Sequence, residues 1–128
     1  MTASVPLTIL VVDDAEDCVA ILEVALQALP GALVLPARTA EHALELLAGE
    51  RPDAVITDIH LPAMNGLEFI ARIRRDPALQ GLPVIVVSAD PDPAGPRAAL
   101  ESGADAYFAK PFSPGAVRKK LEELIHAR

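Results

Sequence analysis

Residues with reactive side chains directly follow four short apolar runs of this 128-residue sequence. Asp13 and Asp14 follow the first of these runs, and Asp58, Ser88 and Lys110 follow the other three. Three carboxylates held close together repel one another, and a hard divalent cation such as Mg²⁺ relieves that repulsion. A carboxylate can also attack phosphorus while a metal and a lysine neutralise the phosphoryl oxygens. These residue types therefore indicate phosphoryl transfer to an aspartate, provided that the fold brings them together.

The composition excludes several other kinds of function. The 18 acidic and 11 basic residues give a net charge of -7, which disfavours binding to nucleic acids and to anionic membranes. Cys18 is the single cysteine, so the chain can form neither an internal disulfide nor a cysteine-based zinc site. Residues 1–12 contain no basic leader, and no apolar run approaches the roughly 20 residues needed to span a bilayer. We expect a cytoplasmic protein with no membrane partner and no direct binding to nucleic acid.

Short apolar runs alternate with amphipathic segments along the chain, which is typical of repeated βα units. Strands that are apolar throughout are covered on both faces, so we predict one α/β domain with a parallel sheet. Thr39 and Ser113 are predicted N-caps, and Gly49 and Gly103 are predicted to end helices. The predicted strands are residues 8–12, 32–35, 54–57, 83–87 and 106–109, and the predicted helices are residues 16–29, 40–48, 66–75, 96–102 and a last helix from 114.

A proline-rich segment, residues 90–96, precedes the predicted fourth helix. Proline is tolerated only in the first turn of a helix, so this helix begins either at Pro93, capped by Asp92, or at Pro96. Either start leaves a short helix with few apolar residues, which must be held mainly by tertiary packing. We therefore expect the fourth helix to be one of the less stable elements.

Ligands of open α/β sheets bind beyond the carboxyl ends of the strands. If the second strand lies at one edge, in the order 2-1-3-4-5, the other four strands bring all the reactive residues to one crevice. Taken singly, each of these residues has another interpretation. Asp13 and Asp14 fit helix caps, Ser88 fits a turn residue, and Lys110 fits a solvated lysine at the end of a strand. Asp58 has no helix directly after it to cap. The occurrence of such residues at four strand ends favours a site.

The sequence resembles the receiver domains of bacterial two-component response regulators over nearly its whole length. The similar segments are Val11-Val12-Asp13-Asp14, Thr57-Asp58-Ile59-His60-Leu61-Pro62 with Asn65-Gly66, Val87-Ser88-Ala89, Gly103-Ala104-Asp105-Ala106-Tyr107 and Lys110-Pro111-Phe112. The resemblance implies one receiver domain over residues 1–128, with no output domain in this chain. It also implies a (βα)5, doubly wound, flavodoxin-like fold with the strand order 2-1-3-4-5.

The resemblance assigns the phosphoacceptor role to Asp58. It implies that Mg²⁺ is bound by Asp13, Asp14, the Asp58 carboxylate and the backbone carbonyl of His60. His60 and Asp90 each lie two residues after a site residue, at positions that flank the phosphoryl group in this family. We expect the two side chains to tune the rate of dephosphorylation.

The remaining matched residues concern the bound phosphoryl group and the switch. Ser88 and Ala89 are expected to contact the phosphoryl group, and Lys110 is expected to pair with it. Tyr107 would be the switch aromatic, although the residue taken alone is more typical of an ordinary edge-strand tyrosine. The peptide bond between Lys110 and Pro111 is expected to be cis, as in the family.

The function implied by the resemblance is a phosphorylation-dependent signalling switch. The phosphoryl donor would be the phosphohistidine of a sensor histidine kinase or a phosphotransfer protein, or a small phosphodonor. Phosphorylation would shift the face formed by the fourth helix, fifth strand and fifth helix, and so control a downstream effector protein or a fused output domain. Such a regulator is not an enzyme, because it promotes only its own phosphorylation and dephosphorylation.

Two alternatives use related chemistry. A haloacid-dehalogenase-type phosphatase also has an aspartate nucleophile and magnesium, but it requires a second aspartate two residues after the first, where Ala15 stands here. A flavin-binding module requires a phosphate loop after the first strand, whereas residues 13–17 are mainly acidic and would repel a phosphate. Cys18 lies on the apolar face of the predicted first helix, so we expect it to be a buried small hydrophobe.

Overall fold

Parallel strands alternate with helices through residues 7–127, the part of the chain that the computed structural model describes. The strands are β1 (Leu7–Val12), β2 (Ala32–Ala37), β3 (Ala54–Thr57), β4 (Val84–Ser88) and β5 (Ala106–Ala109). The helices are α1 (Glu16–Leu26), α2 (Ala40–Glu50), α3 (Gly66–Arg75), α4 (Gly95–Ser102) and α5 (Pro114–His126), with a 3-10 turn at Pro77–Leu79. Residues 1–6 and 128, which the domain and leader predictions include, lie outside the described residues.

All five strands pair in parallel in the order β2-β1-β3-β4-β5, which confirms the predicted fold. Val12 at the end of β1 pairs with Thr57 at the end of β3, and Ser88 at the end of β4 pairs with Ala109 at the end of β5. Because the strands are parallel and their ends align, the residues that follow them emerge at the same edge of the sheet. The candidate site lies at that edge.

Helices cover both faces of the sheet, which is why its central strands are apolar throughout. α2, α3 and α4 pack on one face, where Phe69, Ile70 and Ile73 of α3 are fully buried. α1 and α5 pack on the other face, where Leu22 and Leu121 are fully buried. Burial of one such side chain contributes roughly 1.5–3 kcal/mol. The two apolar layers hold the strands in place and thereby position the residues at their ends.

Two helices end at residues other than those predicted. α1 stops at Leu26 rather than at residue 29, because the chain turns there and the Leu29 N–H donates to the Leu26 carbonyl at 3.0 Å. Pro30 prevents the helix from reaching the predicted end, since a proline disfavours helical backbone at the preceding residue, Leu29. α2 continues through Gly49, which was predicted to end it, and stops before Arg51, whose φ of 48° is left-handed.

The other predicted caps are confirmed. Thr39 and Ser113 accept backbone N–H groups at the starts of α2 and α5, and Gly103 ends α4 with a left-handed φ of 117°. Ile21 shares the helical spacing of the buried Cys18 and Leu22 of α1, yet it is 47% exposed. Within residues 7–127, no helix combines the length and the apolar character needed to cross a lipid bilayer.

α4 begins at Gly95, one residue before the later of the two predicted starts. Asp92 is not its N-cap, because its carboxylate accepts the Ala94 N–H at 2.9 Å in the preceding turn. Ala94 occupies the N-cap position without a side-chain hydrogen bond. Leu100 is 51% exposed, so Gly95 and Ala99 are the buried residues of this short helix.

Candidate functional site

Asp13 and Asp58 lie side by side at the carboxyl edge of the sheet. The Asp58 N–H donates to the Val12 carbonyl at 2.9 Å, so Asp58 continues the pairing between β1 and β3 by one residue. Both aspartates are almost fully buried, with 2% and 7% of their surface exposed. Buried carboxylates are strongly disfavoured unless they are paired, so the two residues together require a cation.

The ammonium group of Lys110 supplies that cation. Its Nζ lies 2.7 Å from Asp13 Oδ2 and 2.9 Å from Asp58 Oδ2. The Lys110 N–H donates to the Ser88 carbonyl at 2.8 Å, and the peptide bond to Pro111 is cis, as the resemblance implies. Burial alone lowers the pKa of Lys110, but hydrogen bonds and charge from the two carboxylates outweigh burial and raise that pKa above its ordinary value.

Backbone N–H groups orient the second oxygen of each carboxylate. Asp13 Oδ1 accepts the Ala15 N–H at 2.9 Å, and Asp58 Oδ1 accepts the His60 N–H at 3.2 Å. Hydrogen bonds to a charged acceptor are stronger than those between neutral groups. Each carboxylate is therefore oriented by one backbone N–H and one ammonium group.

Asp14 does not join this group. Its side chain is exposed and makes no hydrogen bond or ion pair with any residue from 7 to 127. The three carboxylates therefore do not converge in this structure, and the described residues include no ready-made group of three or more His, Cys, Asp or Glu around a metal position. The oxygen ligands that are present, those of Asp13 and Asp58, nevertheless suit a hard cation such as Mg²⁺.

Ser88 is fully buried at the end of β4, and the Ala89 that follows it is exposed. Ser88 Oγ accepts the Asp90 N–H at 3.2 Å. As an acceptor in that bond, the hydroxyl keeps its own hydrogen to donate. Ser88 is linked to Lys110 through the backbone, so both residues belong to the same edge of the sheet.

His60 and Asp90 form a pair that the sequence did not reveal. His60 Nε2 lies 2.8 Å from Asp90 Oδ2, and this contact joins the loops after β3 and β4. The Asp92 N–H and the His60 ring both hydrogen-bond the Asp90 carboxylate, and they lower its pKa below the ordinary value. The two residues lie 30 positions apart, so only the fold could show that they meet.

Tyr107 lies on β5, half-buried against the face of the sheet that α2, α3 and α4 cover. Its hydroxyl lies 3.5 Å from the position that a Cβ atom on Gly95 would occupy. The tyrosine hydroxyl therefore reaches the first turn of α4, where it lies at ordinary contact distance from the Cβ position of Gly95.

Gly66 was matched as part of a motif, but sequence reasoning gave it no role. A Cβ atom at this position would lie 2.1 Å from the Asp58 carbonyl oxygen and 2.8 Å from Ile59 Cα. The Gly66 N–H also donates to the Ile59 carbonyl at 2.7 Å. The start of α3 thus packs directly on the backbone of Asp58, and only glycine allows this approach. The available signal was a glycine at the first position of a helix, after the N-cap Asn65.

Cys18 is buried on α1, as predicted. Burial raises the pKa of its thiol to about 12, and a hydrogen bond and the negative charge of Asp13 act in the same direction. A protonated, buried thiol of this kind is not a nucleophile. Cys18 therefore packs beneath the site without taking part in its chemistry.

Five parallel strands in the order β2-β1-β3-β4-β5, covered by helices on both faces, define a doubly wound, flavodoxin-like α/β domain with two buried aspartates and a lysine at its carboxyl edge. The chain matches the response regulator receiver domain family over residues 9–122 and belongs to that family. The resemblance found in the sequence is thereby confirmed. The protein is a receiver domain of two-component response regulators, and such domains are signalling phosphoacceptors that are not classed as enzymes.

Named relatives share the domain in different settings. A chemotaxis protein CheY homolog of Campylobacter jejuni is 34% identical over 118 residues, which cover 91% of this chain and 91% of that protein. The phosphate regulon transcriptional regulatory protein PhoB of Pseudomonas aeruginosa is 32% identical over 118 residues, which cover 92% of this chain but 51% of that protein. The crystal structure of a CheY-like response regulator receiver domain protein from Methanospirillum hungatei has a TM-score of 0.86 at 28% identity and covers 96% of each chain.

Proposed function

We propose that the chain is a phosphorylation-dependent switch whose phosphoacceptor is Asp58. The contact of Lys110 Nζ with both Asp58 and Asp13 carries this proposal. A lysine that already bridges two buried carboxylates is placed to pair with the oxygens of a phosphoryl group bound to one of them. This arrangement occurs at the edge of the sheet where ligands of open α/β folds bind.

The reaction is a direct phosphoryl transfer. An oxygen of the Asp58 carboxylate attacks phosphorus and forms a P–O bond, while the bond from phosphorus to the donor breaks and the donor retains its electron pair. Lys110 balances the charge of the phosphoryl oxygens. Ser88 has a hydroxyl hydrogen to donate to one of those oxygens, and the backbone N–H of the exposed Ala89 lies next to it in the chain.

Mg²⁺ is the cofactor that we propose for this site. The residues that would hold it are Asp13, Asp14, the Asp58 carboxylate and the backbone carbonyl of His60. When bound, the ion neutralises negative charge on the carboxylates and on the transferred group. Asp14 is exposed and makes no hydrogen bond or ion pair in the described residues, so its carboxylate carries no other contact that a metal would have to replace.

The release of phosphate and the switch involve neighbouring residues. The pair formed by His60 and Asp90 lies beside the phosphoacceptor loop and tunes the access of water to the phosphoryl group. Tyr107 contacts the start of α4, so a change at Ser88 that displaces α4 alters the packing of the tyrosine ring. Phosphorylation biases an existing equilibrium between conformations of the α4, β5 and α5 face.

The proposed partners follow from the transfer of the phosphoryl group and from the switch that it controls. The donor is a sensor histidine kinase or a phosphotransfer protein, and the recipient of the signal is a downstream effector protein or a fused output domain. Residues 1–128 form one receiver domain that acts in the cytoplasm. The net charge of -7 disfavours direct binding of this domain to nucleic acid.

Incubation with acetyl phosphate and Mg²⁺, followed by intact-mass spectrometry, tests the proposal. The wild-type protein should gain one phosphoryl group and keep it long enough to be measured. Asp58→Asn should gain none, because an amide is neither nucleophilic nor anionic. Asp76→Asn changes an exposed aspartate after α3 and should be labelled like the wild type. Labelling of Asp58→Asn at the wild-type level would remove Asp58 from its role, and turnover of acetyl phosphate without a retained group would favour a phosphatase.

Titration calorimetry with Mg²⁺ tests the metal assignment separately. Asp14→Ala removes a charged oxygen ligand and should weaken the affinity for Mg²⁺ and slow labelling. Asp17→Ala changes an exposed aspartate on α1 and should leave the affinity close to that of the wild type. An unchanged Mg²⁺ affinity in Asp14→Ala would exclude that residue from the metal site.

A further inference from the structure

Thr57 is a fully buried polar residue at the end of β3, directly before the proposed phosphoacceptor. It pairs with Val12 of β1 and Val86 of β4, and both valines belong to the apolar layer under α2, α3 and α4. Paired residues of neighbouring strands point to the same face of a sheet, so the Thr57 side chain enters that layer. A valine has nearly the same shape and no hydroxyl to remove from water. A threonine at this position therefore requires an explanation other than packing.

The hydroxyl of Thr57 donates to the carbonyl of the next residue. Thr57 Oγ1 lies 2.9 Å from the Asp58 carbonyl oxygen, and it is the donor because a carbonyl can only accept. Within residues 7–127, no backbone N–H donates to the Asp58 carbonyl. The hydroxyl therefore takes the place of a ladder partner at the point where β3 ends.

The start of α3 packs directly on the same carbonyl oxygen. A Cβ atom on Gly66 would overlap this oxygen, and Asp58 as a whole is almost fully buried. A buried carbonyl that has no donor costs free energy. Loss of the Thr57 hydroxyl would therefore favour rotation of this peptide unit towards another donor or towards water.

The orientation of this peptide unit sets the path of the loop that follows β3. A peptide unit is planar, so a fixed Asp58 carbonyl also fixes the direction of the bond to Ile59. The Ile59 carbonyl accepts the Gly66 N–H at 2.7 Å, and the His60 N–H donates to Asp58 Oδ1 at 3.2 Å. The bond from His60 is at the long end of ordinary N–H···O bonds, so a small rotation is enough to break it.

We propose that Thr57 is a positioning residue for phosphoryl transfer, and that its hydroxyl holds the loop after β3 in the conformation that presents His60 to the site. The hydroxyl acts through the backbone, because it donates to the Asp58 carbonyl and not to the Asp58 carboxylate. It thereby keeps the His60 N–H on that carboxylate and keeps the His60 carbonyl where Mg²⁺ is proposed to bind. This inference rests on the proposed function, since it concerns the reaction only if Asp58 accepts a phosphoryl group.

Labelling by acetyl phosphate at saturating Mg²⁺ tests the hydroxyl. Thr57→Val keeps the volume of the side chain and loses the hydroxyl, and each folded molecule should be labelled at least about fivefold more slowly than the wild type. Thr57→Ser keeps the hydroxyl but loses a buried methyl group, and it should be labelled at the wild-type rate. Thr8→Val removes a half-buried threonine hydroxyl near the amino end of β1, far from the site, and is the matched control.

A purely structural role of Thr57 would give a different order of variants. Loss of a buried methyl group should make Thr57→Ser less stable than the wild type in urea, so a rate that depended on stability would fall in this variant too. Thr57→Ala and Thr57→Ser both lack the methyl group and differ in the hydroxyl, so they repeat the comparison if Thr57→Val does not fold. Equal labelling of Thr57→Val and the wild type, or an equal loss with and without the hydroxyl, would overturn the inference.

Hydrogen exchange without a phosphodonor or metal tests the positioning itself. In Thr57→Val the His60 amide should exchange at least about fivefold faster than in the wild type, because its bond to the Asp58 carboxylate is lost. The Asp58 amide donates to the Val12 carbonyl and should keep its protection. Thr57→Ser should match the wild type at both amides. Unchanged exchange of His60 in Thr57→Val would overturn the positioning role even if labelling is slow.

These measurements separate failure of the inference from failure of the proposed function. Wild-type protein that gains no phosphoryl group would contradict the proposed function, and the exchange of His60 would still decide whether the hydroxyl positions the loop. Normal labelling of the wild type, together with equally fast labelling of Thr57→Val, would overturn the inference alone.

Discussion

His60 Nε2 and Asp90 Oδ2 lie 2.8 Å apart and close a bridge between the loops that follow β3 and β4. Asp90 Oδ1 also accepts the Asp92 N–H at 2.9 Å, so one carboxylate takes part both in this bridge and in a hydrogen bond within the segment that leads to α4. The side of the site that faces water is thereby linked to the segment that reaches α4. This relationship leads to the first prediction.

Loss of the His60 and Asp90 bridge should shorten the lifetime of the phosphorylated protein. We expect His60→Ala and Asp90→Ala each to speed dephosphorylation several-fold, because the opened loops admit water. The effects should not add, since both substitutions remove the same contact, so the double variant should match the faster single variant. The loss of phosphate from purified phosphoprotein, followed by intact mass, measures this. Lifetimes equal to that of the wild type in both single variants would show that the bridge is irrelevant to hydrolysis.

Lys110→Met should destabilise the protein by about 3 kcal/mol, because it leaves two buried carboxylates without a counter-ion. Adding Asp58→Asn to this variant removes one of the two charges and should restore at least half of the loss. Lys119→Met, an exposed substitution on α5, is the control and should change little. Urea unfolding of the wild type, the two single variants and the double variant measures these differences in the free energy of unfolding. Equal stability of wild type and Lys110→Met would contradict the role of the ammonium group as counter-ion.

Gly66→Ala should destabilise the protein by on the order of 3 kcal/mol, since the new Cβ atom would overlap the backbone of Asp58. The displaced aspartate should also be phosphorylated more slowly by acetyl phosphate. Gly49→Ala is the matched control, because a Cβ atom there meets nothing within 4 Å in the helix α2. That substitution should stabilise the protein by about 0.5–1 kcal/mol. If both glycine substitutions had the same effect on stability, close packing at Gly66 would not be the cause.

The thiol of Cys18 should resist alkylation in the folded protein. Its pKa is raised to about 12, mainly by burial, so at pH 8 its thiolate fraction is about 1000-fold below that of a thiol with the ordinary value of 9.0. Because the raised pKa shifts loss of the thiol proton to higher pH, the rate of alkylation of the folded protein should keep rising as the pH goes from 9 towards 12. Iodoacetamide labelling of folded and urea-unfolded protein, read by mass, measures the difference. A folded rate within tenfold of the unfolded rate would contradict the raised pKa.

The amides of Arg97 to Ser102 in α4 should exchange faster than those in the middle of α5. α4 has eight residues and buries only Gly95 and Ala99, whereas α5 has thirteen residues and buries Val117 and Leu121. Fewer buried apolar groups leave a smaller free energy of local opening. Hydrogen exchange of the unphosphorylated protein tests this. Equal protection of the two helices would show that α4 is not among the less stable elements.

The fold could be predicted because each strand and helix carries its own local pattern. The apolar runs before Asp13, Asp58, Ser88 and Lys110 became strands of a parallel sheet, and their shared edge followed from that topology. The errors in secondary structure concerned the ends of helices, where a single contact decides at which residue a helix begins or stops. Pro30 prevented α1 from reaching its predicted end, and Asp92 bound the turn before α4 instead of capping the helix.

The sequence by itself determined which segments become strands, the family to which the chain belongs, and the set of residues that could perform phosphoryl transfer. Only the tertiary structure decided which of them meet: Asp13 joins Asp58 and Lys110, whereas Asp14 stays exposed outside this group. The hydrogen bonds from Arg74 to Gly103 and from His60 to Asp90 were equally hidden, since about thirty residues separate the partners. Local patterns record which face of an element is apolar. The direction of a polar side chain at the end of a strand depends instead on neighbours from distant parts of the chain, which come together only when the protein folds.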